Sequence, residues 1–298
     1  MPDVLRRPDG LRRPDAQRRT SASAAARRAT TRRRTALATV VVLGAVVMFF
    51  PFAWTVVTSL SDDAGLSATP QLIPQDPSLS AYQVLFAETP FARVVLNSLG
   101  LAVATTACQL LTSALAAYVF SRMPFPGRGI VFGVYLATMM IPIQVLIVPL
   151  FVQMRDLGLV DTYLGVLLPG VASAFGVFLL RQAMNAVPRE LDEAATIDGA
   201  GHLRVFARII LPLVGPALAT LAVFSFMSSW NAFLWPLIIL RDETLQTLPL
   251  ALAGLQGQYT TQWDVVMAGS VVSILPMLAL YLFAQKYVIQ GVATSGIK

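Results

Sequence analysis

Six stretches of this chain are long, apolar and free of Asp, Glu, Lys and Arg, and they restrict its fold more tightly than anything else in the sequence. They cover residues 36–60, 94–120, 130–153, 163–180, 213–240 and 265–285. Helices of about 20 residues cross the roughly 30 Å hydrocarbon core of a bilayer. An open strand there would leave backbone N–H and C=O groups unpaired in lipid, so each stretch is expected to be helical. Composition agrees. Only 13% of the residues are charged and the mean hydropathy is +0.67, whereas a soluble domain carries about a quarter of its residues as charged types. The expected architecture is an all-α membrane protein with six transmembrane helices.

The basic residues are distributed unevenly about these stretches. Eleven arginines lie between Arg6 and Arg34, ahead of the first stretch. With that end placed inside, nineteen Lys and Arg residues fall on the inner side, and only Arg93, Arg155 and Arg241 fall outside. The positive-inside rule then puts both termini in the cytoplasm. The first stretch is too long for a signal-peptide core and runs into Ser61-Asp62-Asp63 without a small-residue cleavage pattern, so it is read as a span. Residues 1–35 form a separate basic tail, in which Leu5-Arg6-Arg7-Pro8-Asp9-Gly10 nearly repeats as Leu11-Arg12-Arg13-Pro14-Asp15-Ala16. Such a composition cannot bury a core and is expected to be disordered. Its arginines suit anionic membrane lipid, and a tail tethered at the bilayer is not expected to bind nucleic acid. They also lie far from any cleavable apolar core, unlike those of a twin-arginine export signal.

Several chemistries are excluded by what the chain lacks. Cys108 is the sole cysteine and His202 the sole histidine, so neither an internal disulfide nor a Cys- or His-rich metal site can form. A phosphate-binding loop needs a lysine after a glycine-rich turn, and Lys286 and Lys298, the only lysines, do not follow one. The chain is therefore not expected to bind ATP or another cofactor itself. Proton-coupled carriers place titratable groups within the membrane, and the six spans contain no charged residue.

The most informative segment, residues 188–212, lies between the fourth and fifth spans. Pro188 suits a helix start, and Glu190, Asp192 and Glu193 place negative charge at the positive end of the helix dipole. Gly199 and Gly201 end that helix, and a second short helix leads to Pro212, which can open the fifth span. Leu191, Ala194 and Ala195 share one face with Asp198 at its edge, a shape fit for close approach to another protein.

Glu193-Ala194-Ala195, with Gly199 six positions after the glutamate and then Ile209-x-Leu211-Pro212, resembles the EAA loop of ABC importer permeases at each motif position. Asn97-Ser98-Leu99 resembles an element of these permeases, and Met139-Met140-Ile141-Pro142 and Ser229-Trp230-Asn231-x-Phe233 are similar to elements of their carbohydrate-uptake branch. The resemblance implies an ABC importer permease fold whose loop forms a cytoplasmic coupling helix. It makes Glu193, Ala194, Ala195, Asp198, Gly199, Leu211 and Pro212 the residues that couple to an ATPase. Glu193 is expected to pair with an arginine of that subunit, and Gly199 to supply a turn that a side chain would obstruct. The implied partners are a second permease, a cytoplasmic ATPase dimer that consumes the ATP, and an extracytoplasmic solute-binding protein.

Uncharged polar residues within the spans serve either a helix backbone or a translocation path. The Ser228-to-Asn231 cluster sets an aromatic plate beside hydroxyl and amide groups, which suits a neutral polyol. Asn97, Gln144, Ser229, Trp230 and Asn231 are accordingly expected to line the path. The outer loop 241–264, with Gly254, Gly257, Tyr259, Thr260 and Thr261, is expected by resemblance to reach toward the binding protein.

Overall fold

The computed structural model describes the backbone of residues 15–61, 77–256 and 262–295, with side chains between residues 34 and 285 in those stretches. Every regular element among the described residues is a helix. The chain divides into two compact units between Trp54 and Thr55.

The first unit is described through helix α1, Asp15–Ser59, as far as Trp54. Its apolar side chains Val40, Val47 and Phe49 are exposed, as suits a helix whose solvent is lipid. The helix begins inside the basic tail, at Asp15. Alanine and arginine are strong helix formers, and extending an existing helix avoids the cost of nucleation. Residues 1–14, with most of the repeat, lie outside the described residues.

The second unit is built on α3, Phe91–Arg122. It packs against α7, Ala174–Asn185, and α11, Gly215–Trp230; α11 packs on α14, Trp263–Ser295, which in turn meets α2, Ser80–Glu88. One apolar core forms near the C-terminal end of α3 around Tyr118, Leu180, Met184, Phe206 and Ile210. Another forms at its N-terminal end around Leu85, Phe91, Trp230 and Leu248. Between them α3 and α7 approach closely at Gly176, where an added Cβ would run into Ser113 Oγ and the Leu221 side chain.

By length and composition, Arg34–Ser59, Phe91–Arg122 and Trp263–Gln285 can each cross a membrane as single helices. Three further pairs of helices pass only when each bent pair is taken as one span, which brings the total to six. The sequence patterns did not show these bends. The third span breaks by 97° between Arg128–Met140 and Ile143–Asp156, dividing it into α4, Arg128–Ala137, and α5, Ile143–Asp156. Pro142 has no N–H to continue the ladder and forces Ile141 into an extended conformation. The fourth span bends by 45° between Tyr163–Gly170 and Ala174–Asn185, after α6, Tyr163–Leu167. Its freed carbonyls are recovered from α3: Gln109 Nε2 donates to Gly170 O and Thr112 Oγ1 to Val171 O, each at 2.7 Å. Ser173 Oγ then accepts from Gly176 N at 3.0 Å and caps α7. Around the start of the fifth span, His202–Leu213 and Gly215–Trp230 meet at 78°, where Pro216 cannot donate back to Pro212.

Gly176→Leu is expected to pry α7 from α3 and cost about 1–3 kcal/mol, seen as a lowered unfolding midpoint in detergent. Gly133→Leu, at a position open to solvent or lipid, is expected to leave the midpoint unchanged.

Candidate functional site

The segment between α7 and α11 folds as two short helices on either side of a glycine turn. α8, Glu190–Ile197, carries Glu190, Asp192 and Glu193 in its first turn, where the dipole favours them. Its far end is a Schellman cap. Gly199 sits in the left-handed region at φ 78°, while Ala200 N donates to Ala195 O at 2.9 Å and Gly199 N to Thr196 O at 3.0 Å. An added Cβ at Gly199 would meet nothing within 4 Å. The expectation that a side chain would be obstructed is thus corrected: the backbone angle, not space, selects glycine. α9, His202–Val205, follows, and then a π-helical turn, Phe206–Ile210. Pro212 lacks an N–H for Arg208 O, which accounts for a widened turn just before it. Leu211 and Pro212 belong to α10, Leu211–Leu213.

The structure sorts the predicted coupling residues by where they point. Glu193, Ala194, Asp198, Gly199 and Pro212 are exposed. Ala195 and Leu211 are half-buried and pack against the core near Leu180 and Ile210, so these two hold the segment on the bundle. Ile197, 86% exposed, and Leu203, 77% exposed, add apolar side chains to the outer surface.

What the motif did not identify is the attachment of α8 to the spans. Arg122, the last residue of α3, places Nε 3.0 Å from Asp192 Oδ2 and donates from Nη2 to Val187 O at 2.9 Å. Arg181 Nε donates to Phe120 O at 3.1 Å while its guanidinium lies 4.0 Å over the Phe132 ring. Arg189 Nη2 reaches Ser121 O at 3.4 Å. The last carbonyls of α3, which no further helical turn can satisfy, are met by cations suited to the negative end of its dipole. In the sequence these arginines served only the inside-outside count, because their partners lie some sixty to seventy positions away.

The expected path residues are not brought together as one lining. Trp230 is 3% exposed, donates Nε1–H to Ser273 O at 3.3 Å and stacks on Phe226. It is a core residue joining α11 to α14, since a large ring with one polar atom packs well once that atom has an acceptor. Asn231 and Gln144 are exposed and Ser229 is half-buried; the Asn231 amide donates to Met227 O at 2.8 Å. Asn97 donates from Nδ2 to Thr244 O at 3.0 Å and Gln246 O at 3.1 Å. Beside it, Ser98 Oγ accepts from Leu248 N at 2.6 Å. This pair pins the loop after α12, Leu234–Ile239, rather than standing open to a solute.

Residues 109–294 match the family described as binding-protein-dependent transport system inner membrane component. The chain belongs to that family. The permease resembles the arabinooligosaccharides transport system permease protein AraQ of Halalkalibacterium halodurans, 40% identical over 202 residues, 68% of this chain and 72% of that one. It is also similar to the sn-glycerol-3-phosphate transport system permease protein UgpE of Salmonella choleraesuis, 35% identical over 266 residues, 86% of this chain and 95% of the relative. Among solved structures, a chain of a bacterial ABC transporter involved in the import of the acidic polysaccharide alginate aligns with TM-score 0.77 at 27% identity. That alignment covers 86% of this permease and 97% of the other chain.

At the opposite end of α3 the permease builds a second polar clamp. Asp161, at φ 60°, accepts on Oδ1 from Arg241 N at 2.8 Å and Asp242 N at 3.0 Å. These backbone donors hold its carboxyl below the ordinary 3.8. The loop that follows carries α13, Leu248–Gly254, whose Leu248 and Leu250 are buried. Much of the stretch expected to reach outward is thus packed into the fold, while Gly257, Tyr259, Thr260 and Thr261 lie outside the described residues.

Two outcomes are expected. Gly199→Val forces a β-branched residue into the left-handed region at a cost of about 1–2 kcal/mol, whereas Gly199→Asn keeps more of the cap; exchange protection of the Ala200 amide reads both. Asp161→Asn loses the charge-assisted acceptor and speeds exchange at the Arg241 and Asp242 amides. Because the folded carboxyl titrates below 3.8, its contribution is full above that value and is lost only as pH falls through the lower, folded one.

Proposed function

We propose that this permease carries a sugar or short oligosaccharide inward, driven by ATP that a separate pair of cytoplasmic ATPase subunits hydrolyses. α8 faces the cytoplasm and seats in a cleft of one ATPase. A second, related permease closes the pathway, and an extracytoplasmic binding protein delivers the solute. Both termini lie on the cytoplasmic side, as the charge bias supports.

The observation that carries this reading is the exposed acidic and apolar surface of α8, held on the end of a long span, with Glu193 in no ion pair among the described residues. Such a knob offers a partner both a carboxylate and contact area at Ala194 and Ile197. Closure of the ATPase dimer around nucleotide moves α8, and the spans packed on α3 rock with it. Met140, Val145 and Val148 leave an apolar strip open on the broken third span, suited to lipid or to the second permease. The uncharged spans favour a neutral solute, because an anion crossing them would lack a fixed counter-charge. A phosphorylated polyol is the second reading, favoured by the likeness to UgpE. Competition between arabinooligosaccharide and glycerol 3-phosphate for uptake by the reconstituted importer separates the two.

Gly199→Asp is expected to leave the protein in the membrane and lower ATP-driven uptake by about tenfold or more. It adds a like charge beside Asp198 on the surface proposed to enter the cleft. Uptake at the wild-type rate in vesicles containing the variant complex would refute the docking of this surface.

A further inference from the structure

We propose that Arg122 is the positioning residue through which movement of α8 reaches the membrane spans, with the Arg122–Asp192 pair as the joint. The inference rests on the reading of α8 as the helix that docks the ATPase.

Three observations converge on the last turn of α3. The first is the pair itself. Arg122 Nε lies 3.0 Å from Asp192 Oδ2, with the arginine side chain 5% exposed and the aspartate 21%. Exposed ion pairs hold two flexible arms only loosely, whereas a buried pair resists separation because each charge would be left uncompensated in a poor solvent. The same guanidinium donates to Val187 O at 2.9 Å, so one side chain grips both the approach to α8 and its first turn.

The second observation is that the other limb of the loop meets the same turn. Tyr118, one helical turn before Arg122, contacts the Phe206 ring at 5.1 Å, and Phe206 opens the π-helical turn on the far side of Gly199. The limbs before and after the glycine turn therefore both hold α3, one by charge and one by packing.

The third is where α3 leads. It packs on α7 and α11, and its far end pins the 244–248 loop through Asn97 and Ser98. A continuous helix is stiff along its axis, so a displacement imposed at Arg122 is carried to the opposite face of the permease. Asp192 is thus set apart from Glu193, its exposed neighbour: one carboxylate faces the bundle and the other faces out. In this arrangement Glu193 serves docking and Asp192 serves transmission.

The test uses the complete importer, with both permeases, the ATPase and the binding protein, reconstituted in vesicles. ATPase co-purification, ATP hydrolysis and uptake of a labelled arabinooligosaccharide are measured together. Asp192→Asn is expected to retain the ATPase and its hydrolysis while sugar taken up per ATP falls about tenfold. Arg122→Asp combined with Asp192→Arg, which rebuilds the pair in reverse, is expected to recover a substantial part of that ratio. Should Asp192→Asn fail to reach the membrane, Asp192→Glu, with the charge kept on a longer arm, is read in the same way. An unchanged ratio of uptake to hydrolysis overturns the proposal, as does loss of the ATPase from the variant complex, which would make Asp192 a docking residue. A wild-type complex that assembles with no ATPase and takes up sugar without ATP would bring down the functional reading itself, an outcome visible before any variant is made.

Discussion

A helix leaving the hydrocarbon exposes carbonyls that no further turn can satisfy, and the way α3 meets that requirement organises one end of this permease. Arg181 and Arg189 donate to Phe120 O and Ser121 O, and Arg122 reaches Val187 O and the Asp192 carboxylate. Each contact fixes a loop or a neighbouring helix to the end of this 32-residue helix. The segment around α8 is consequently attached to the bundle at a polar joint, with Tyr118, Phe206, Ala195 and Leu211 packed beneath it. What keeps it there is the attraction of the Arg122–Asp192 charges in a poorly solvated place, the Arg122 bond to Val187 O and the packing beneath, although Arg122 Nε and Asp192 Oδ1 themselves make no hydrogen bond.

The same constraint explains why broken helices are tolerated. Proline or glycine interrupts three of the spans, and at the Gly170–Ser173 break the freed carbonyls are taken up by Gln109 and Thr112 of α3. Polar residues that looked like lining in the sequence are thus partly structural mortar. Asn97 closes an outer loop and Trp230 bonds to the Ser273 carbonyl. The groups left exposed, Asn231 and Gln144, are the ones with access to something beyond this chain. Breaks stabilised in this way allow half-helices to pivot without exposing bare backbone to lipid, which suits the rocking of the spans proposed above.

In the proposed reading, function divides between the two faces of α8 along lines that a motif cannot express. Glu193, Ala194 and Ile197 point away from the bundle; Asp192 and Ala195 point toward it. A docking helix must be held as firmly as it is gripped, because a displacement passed to a loose helix would be absorbed rather than transmitted. The left-handed Gly199 ends α8 abruptly and lets the chain turn back onto α3 through Phe206.

Hydrophobic blocks and the Glu193-to-Pro212 spacing were enough to specify helices, three to six candidate spans and the family, because lipid imposes rules that act locally along the chain. The glycine at 199 and the acidic first turn of α8 were legible for the same reason, since caps and dipoles depend on near neighbours. The 97° break at Pro142, the burial of Trp230, the engagement of Asn97 with residues 244 and 246, and the Arg122–Asp192 pair emerged only in three dimensions. Each depends on which distant groups arrive beside a given side chain. A polar or aromatic residue in an apolar run reads alike whether it faces a solute, a neighbouring carbonyl or an opposite charge, and only packing decides among them.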